Sequence, residues 1–190
     1  MKAFHYKGKY NGDENSLPQR EHPEGYVAFK EAENMQQLSI TMNITAAVIG
    51  VVLLVVVGLV SHHNPLNTWG IIAFIVSMVP HEFLHGICFK GDVYMYQNIT
   101  QGMLFVVSPD DISKWRFIFM SMLPNIVFGF IPFVIFLIHP SWIFFGSMGA
   151  LAISAGAGDY YNVYNALTQM PNNALTYLSG MHSYWYIPKK

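Results

Sequence analysis

Long apolar runs, each broken at few positions by groups that are costly in hydrocarbon, set the pattern of this chain. The first runs from about Ile40 to Val60 and ends in VIGVVLLVVVGLV without a charge. The second, from about Asn67 to Phe89, carries HEFLH near its end. The third, FIFMSMLPNIVFGFIPFVIFLI, runs from Phe117 to Ile138, and the fourth runs from Trp142 to about Ala157 before continuing as GDYYNVYNALTQM. About 20 residues of helix span the roughly 30 Å hydrocarbon core. The first and third runs meet that length outright; the second and fourth meet it only if their polar residues have work to do. The pattern predicts an all-α membrane protein of four transmembrane helices.

Between the second and third runs, GDVYMYQNITQGMLFVVSPDD is rich in β-branched and aromatic residues around Asn and Gly. It predicts a small β-hairpin turning near Asn98–Gly102. Residues 1–39 predict a short leader: LPQREHPEGYVAFKEAENMQQLS has Pro/Gly turn signals, then a charged stretch of helical character entering the first span. Residues 40–190 form the membrane domain in this reading, and no internal repeat is present.

Charge changes the picture by giving the spans a direction. Lys2, Lys7, Lys9, Arg20 and Lys30 precede the first span; Lys90, Lys114 and Arg116 lie between the second and third; Lys189 and Lys190 end the chain. Those are all 10 Lys and Arg residues, and the alternate connections SHHNPLN and HPS have none. Positive charge is retained in the cytoplasm, so the expectation is a multi-pass cell-membrane protein with both termini cytoplasmic. A soluble helical core leaves this segregation unexplained. Composition agrees, with 53% hydrophobic and 11% charged residues against about a quarter charged in soluble domains. A net charge of -1 without a basic stripe argues against a nucleic-acid partner. One cysteine, Cys88, excludes an internal disulfide framework and a multi-cysteine zinc site. The polar start MKAFHYKGKYNGDENS is not a secretory signal peptide.

Candidate chemistry centres on His81-Glu82-Phe83-Leu84-His85, an H-E-x-x-H sequence. Four residues apart on a helix is one face, so both imidazoles can reach one ion, with Glu82 placed to take a proton from a metal-activated water. The bland alternative is a polar pair capping a helix near the interface, but ionisable groups inside spans are rare and functional by default. Catalytic zinc takes three protein ligands and keeps one open position. The third must lie at the same depth: at 1.5 Å per residue, His81 is about 21 Å and His85 about 27 Å from Asn67, bracketing Asp159 at about 25 Å from Trp142. Asp159 is the only carboxylate of the fourth run, and Ala155, Gly156, Ala157 and Gly158 before it permit close helix approach. A solvated helix-end acid is the competing role. In LPN, Pro124 frees a helix carbonyl, and Asn125 adds a donor and an acceptor that can hold a substrate backbone or an oxyanion, or can merely pack helices. Cys88 reads as a small buried hydrophobe. His62 and His63 lie too far away to share the metal.

On HEFLH, LPN and Gly158-Asp159, together with the opening SLPQREHPEGYVAF, the chain resembles the bacterial zincin-type membrane peptidases, a group catalogued as a domain of unknown function. These are similar to the site-2 protease class of intramembrane metalloproteases. The resemblance covers nearly the whole chain and implies Zn2+ held by His81, His85 and Asp159, with Glu82 as catalytic base. It departs from the better-known site-2 proteases in having no proline in GALAISAGAGD and no PDZ-like domain. The expected function is zinc-dependent hydrolysis of membrane or membrane-proximal protein substrates, with the strand edge within residues 93–107 receiving the unwound segment. The alternative is a catalytically silent metal-binding scaffold or regulator, which has no need of a base at Glu82. A metal transporter ranks last, because the outer halves of the spans are almost wholly apolar.

Overall fold

The computed structural model describes residues 2–32, 35–101 and 103–189. Helices dominate. α1 (Met35–Ser61) and α2 (Thr68–Ile87) are followed by α3 (Lys114–Pro124), a π-helical segment (Asn125–Phe130) and α4 (Ile131–Ile138), which together run as one continuous helical stretch. α5 (Ile143–Ala155) and α6 (Ala157–Gln169) complete the set. α1 is rich in valine, which ordinarily favours strands. An apolar surround overrides that preference, because a helix satisfies every backbone group within its own segment. Its outward face is bare: Ile44 is 61% exposed and Leu59 69%.

Three helices are long and apolar enough to cross a membrane: Gln36–Ser61, Thr68–Ile87 and Lys114–Ile138. The fourth apolar run is not one helix. α5 has 13 residues, about 20 Å at 1.5 Å per residue, short of the roughly 30 Å core. It ends at Gly156, and α6 begins on the next residue. α5 is the best buried of the helices, with Gly146, Ser147, Gly149, Ala150, Ala152, Ile153 and Ser154 all enclosed. Small residues let α1, α2 and α4 close around it. Val57, Phe133, Phe136, Ala150 and Ile153 form the centre of that bundle.

The all-α expectation needs correcting, because two sheets sit at one end of the bundle. The predicted hairpin is present as β3 (Val93–Asn98) and β4 (Met103–Val107), paired antiparallel from Tyr94↔Val107 to Asn98↔Met103. Gly102, placed in its turn by the sequence, lies outside the described residues, as do Met1 and Lys190. β1 (Phe4–Lys9), from the leader, adds to this sheet in parallel, in the order β1-β3-β4. The second sheet has the order β2-β7-β6-β5, formed by β2 (Val27–Ala28), β5 (Ile112–Ser113), β6 (Leu175–Ser179) and β7 (His182–Tyr186). Its hairpin β6–β7 lies where the sequence suggested only a tail.

The charged stretch before α1 is likewise not helical over residues 29–32, and 33–34 lie outside the described residues. Tertiary contacts hold it extended. Phe29 is buried with Ala166, Met170 and Ala174. The Lys30 amide donates to Gln169 Oε1 at 2.7 Å, and Glu31 Oε2 accepts from the Ser183 amide at 3.1 Å. Burial pushes the Glu31 carboxyl above its ordinary pKa.

Candidate metal centre

The last turns of α2 carry His81, Glu82 and His85, and the first turn of α6 carries Asp159. His81 Nε2 and His85 Nε2 are 3.1 Å apart. Asp159 Oδ2 lies 3.2 Å from His81 Nε2, and its Oδ1 lies 3.2 Å from His85 Nε2. One ligand atom from each residue therefore shares a single small volume. Four ligands at 2.0–2.1 Å around a tetrahedral zinc would stand about 3.3 Å from one another, a spacing these three groups match.

A second feature supports this fit. Pro124 has no N–H, so the helix leaves the Met120 carbonyl, four residues back, without its usual donor. His85 Nδ1 is 2.9 Å from that oxygen. A proton on Nδ1 directed at the carbonyl leaves the Nε2 lone pair facing His81 and Asp159, the tautomer a metal requires. Two imidazole nitrogens at 3.1 Å, one buried and one half-buried, repel unless a cation or proton lies between them.

Glu82 is buried beside these three residues and lines the same cavity, whose volume is about 800 Å³. Its carboxylate is met by the backbone amide of Val106 on β4. That contact agrees with the register of the sheet. Val93 N and Gln97 O point to the leader, bonding Ala3 O at 3.0 Å and Tyr10 N at 2.8 Å. The alternate residues Tyr94, Tyr96 and Asn98 therefore face β4 and occupy the inward groups of Val107, Phe105 and Met103. Leu104 is left with its amide and carbonyl on the free edge, and Val106 with its carbonyl, its amide turning to Glu82. α1 supplies the opposite wall through residues such as Asn43 and Gly50.

Asn125, expected to meet substrate, makes contacts within the bundle. It is fully buried, and its Nδ2 donates to Asp159 Oδ2 at 2.7 Å and to Ser121 O at 3.0 Å. Cys88 is buried in the cluster joining α2, the first sheet and α3, as its chemistry suggested.

Sequence reasoning missed the grip of the leader on the motif helix. Lys2 Nζ donates to the carbonyls of Gly86 and Phe89 at 2.7 Å each, neutralising the helix end next to His85. Phe4 stacks on Phe83 with ring centroids 4.7 Å apart, and its ring occupies the space a side chain at position 86 would need. Gly86→Ala must displace Phe4, so it is expected to cost about 1–3 kcal/mol of stability. Zinc affinity should fall with it. A thermal midpoint equal to that of the wild type would show that the strand carries no load there. The one local signal was a glycine directly after the second histidine, too common a pairing to read alone.

The class defined by this arrangement is a helical chain with a two-histidine, one-carboxylate centre. Comparison with protein families gives the particular one: residues 74–175 match the family described as "Putative zincin peptidase", and the chain belongs to it. That span contains the motif, the free strand edge, Asn125 and Asp159. Zinc is the metal this family implies. No curated protein and no solved structure matches the chain.

Proposed function

We propose that this protein is a membrane-embedded zinc metalloprotease of the H-E-x-x-H type, with His81, His85 and Asp159 as ligands and Glu82 as general base. The observation that carries it is the convergence of three ligand atoms beside a buried glutamate on one cavity wall. When bound, zinc supplies a Lewis acid that polarises a carbonyl and makes water a nucleophile near neutral pH. The chain supplies the rest. Glu82 takes the proton of the attacking water on its carboxylate and returns it to the departing amine nitrogen. The free edge of β4 holds an unwound substrate segment by main-chain hydrogen bonds at Leu104 and at the Val106 carbonyl. A substrate transmembrane helix satisfies its backbone internally, so it must open before a carbonyl can be reached.

In this reading the chain crosses the bilayer four times, with α5 and α6 together making the last crossing and both termini in the cytoplasm. All 10 Lys and Arg residues then lie on the cytoplasmic side. Trp69 and Trp142, 70% and 50% exposed, mark one membrane boundary, and Trp115, at 58%, marks the other. Residues 1–39 form a cytoplasmic leader docked on the membrane domain through β1 and β2. The resemblance extends the reading to a bacterial cell membrane.

The strand-edge step is tested with Leu104→Pro. Proline at this position removes an outward N–H and leaves the ladder to β3 intact. Cleavage of a single-span reporter protein in vesicles should drop by about 10- to 100-fold on loss of one oriented backbone contact, with metal content unchanged. Undiminished cleavage would remove β4 from the substrate path. A reporter left whole by the metal-loaded wild type would favour the silent scaffold instead.

A further inference from the structure

Asn125 is an amide sealed inside the bundle, and its surroundings show what it is built to hold. One Nδ2 hydrogen goes to Asp159 Oδ2 at 2.7 Å and the other to Ser121 O at 3.0 Å. Those two acceptors set the orientation of the amide. The single Tyr160 hydroxyl proton goes mainly to Ile153 O at 2.9 Å, and a weaker share reaches Asn125 Oδ1 at 3.4 Å. A flipped amide would press Oδ1 against the Asp159 carboxylate, two acceptors with no proton between them.

Backbone features make room for this arrangement. The Asn125 amide N–H bonds Met122 O as the helix turns into the π segment, leaving Ser121 O open to the side chain. Across the interface is Gly156, the break between α5 and α6, where a Cβ would overlap the Asn125 carboxamide. The same break sets Asp159 in the first turn of α6, facing α2. Helix break, π segment and amide thus converge on one carboxylate.

Resting on the metal-centre reading above, we infer that Asn125 is a positioning residue. It holds the Asp159 carboxylate in the orientation that presents it to His81 and His85, with Gly156 leaving room for the amide and Tyr160 adding a weak contact to its oxygen. It does not touch substrate. A carboxylate on a short side chain has rotational freedom about χ2. The amide bond removes that freedom before a metal arrives, and ligand partners of this kind typically govern metal affinity 10- to 100-fold.

The test is zinc affinity, read by competition with a chelator on detergent-purified protein, alongside the thermal midpoint of the metal-free protein. Asn125→Leu keeps the volume beside Gly156 and removes the donor; Asn125→Ala removes both. Both are expected to bind zinc about 10- to 100-fold more weakly than wild type, and Asn125→Leu, which strands Ser121 O and the carboxylate but keeps the space filled, should lower the metal-free midpoint less than Asn125→Ala does. Tyr160→Phe, which retains the ring and its packing, should weaken zinc by a smaller factor in the same direction; it keeps the test decisive if the Asn125 variants fail to fold. Wild-type affinity in Asn125→Leu would mean that the side chain only fills space, and it would overturn the positioning role alone. Absence of zinc from the wild type after reconstitution would defeat the metal centre itself, and this role with it.

Discussion

One zinc per chain in the wild-type protein, and none in His85→Ala or Asp159→Ala, is the expected result of metal analysis after purification in detergent. The size of the effect follows from the ligand count. The proposed centre has three protein ligands, and a transition-metal site of this kind needs all of them for tight binding. His85→Ala also strands the Met120 carbonyl, which accepts from the ring at 2.9 Å. Asp159→Ala leaves two imidazoles 3.1 Å apart with no anion to offset the ion's charge. It also strands the buried Asn125 amide, so a lower thermal midpoint should accompany the metal loss. Zinc retained in Asp159→Ala would mean that another group completes the site.

The second large effect is on turnover alone. Glu82→Gln should keep full zinc occupancy, because Glu82 contributes no atom to the ligand cluster. It should reduce cleavage by about 10²- to 10⁴-fold, the usual contribution of a positioned general base. Glutamine has the shape of glutamate and can turn its carbonyl oxygen to the Val106 amide, so packing is preserved. What it lacks is a basic oxygen. Equal cleavage by Glu82→Gln and wild type would assign proton transfer to another group. Loss of zinc together with activity would make Glu82 part of the metal site.

How much of this could be read from residue order follows from how local each feature is. HEFLH lies on one helix, so its two-ligand face depends only on the helical repeat. The apolar runs and the hairpin are equally local, since each is fixed by its own periodicity and turn residues. Pro124 was legible as the source of a free carbonyl, because a missing N–H always frees the oxygen four residues back. Where that carbonyl pointed was not legible, as its partner is 35 residues away in the chain. The depth argument for Asp159 assumed one straight helix. The ligands do meet, but by way of a break at Gly156 that repacks the last apolar run as two helices.

Asn125 shows the limit most clearly. Its chemistry, a donor and an acceptor in an apolar helix, was evident from LPN, while its partner was not. Burial is a property of the assembled bundle, and only the assembled bundle brings the amide to Asp159. The strands of the leader and the C-terminal hairpin were hidden for a related reason. β1 pairs with β3 across more than 80 residues, and a parallel partner needs no local turn to announce it.

By itself, then, the sequence determined the apolar runs, their charge asymmetry, the motif helix and the residue types able to hold a metal, because each arises from neighbours within a few turns of chain. Tertiary structure alone decided which carboxylate meets the histidines, what holds that carboxylate, and which strand edge lies open beside Glu82. Those depend on contacts between distant segments, where packing and the need to satisfy buried polar groups choose among partners that local pattern leaves equivalent.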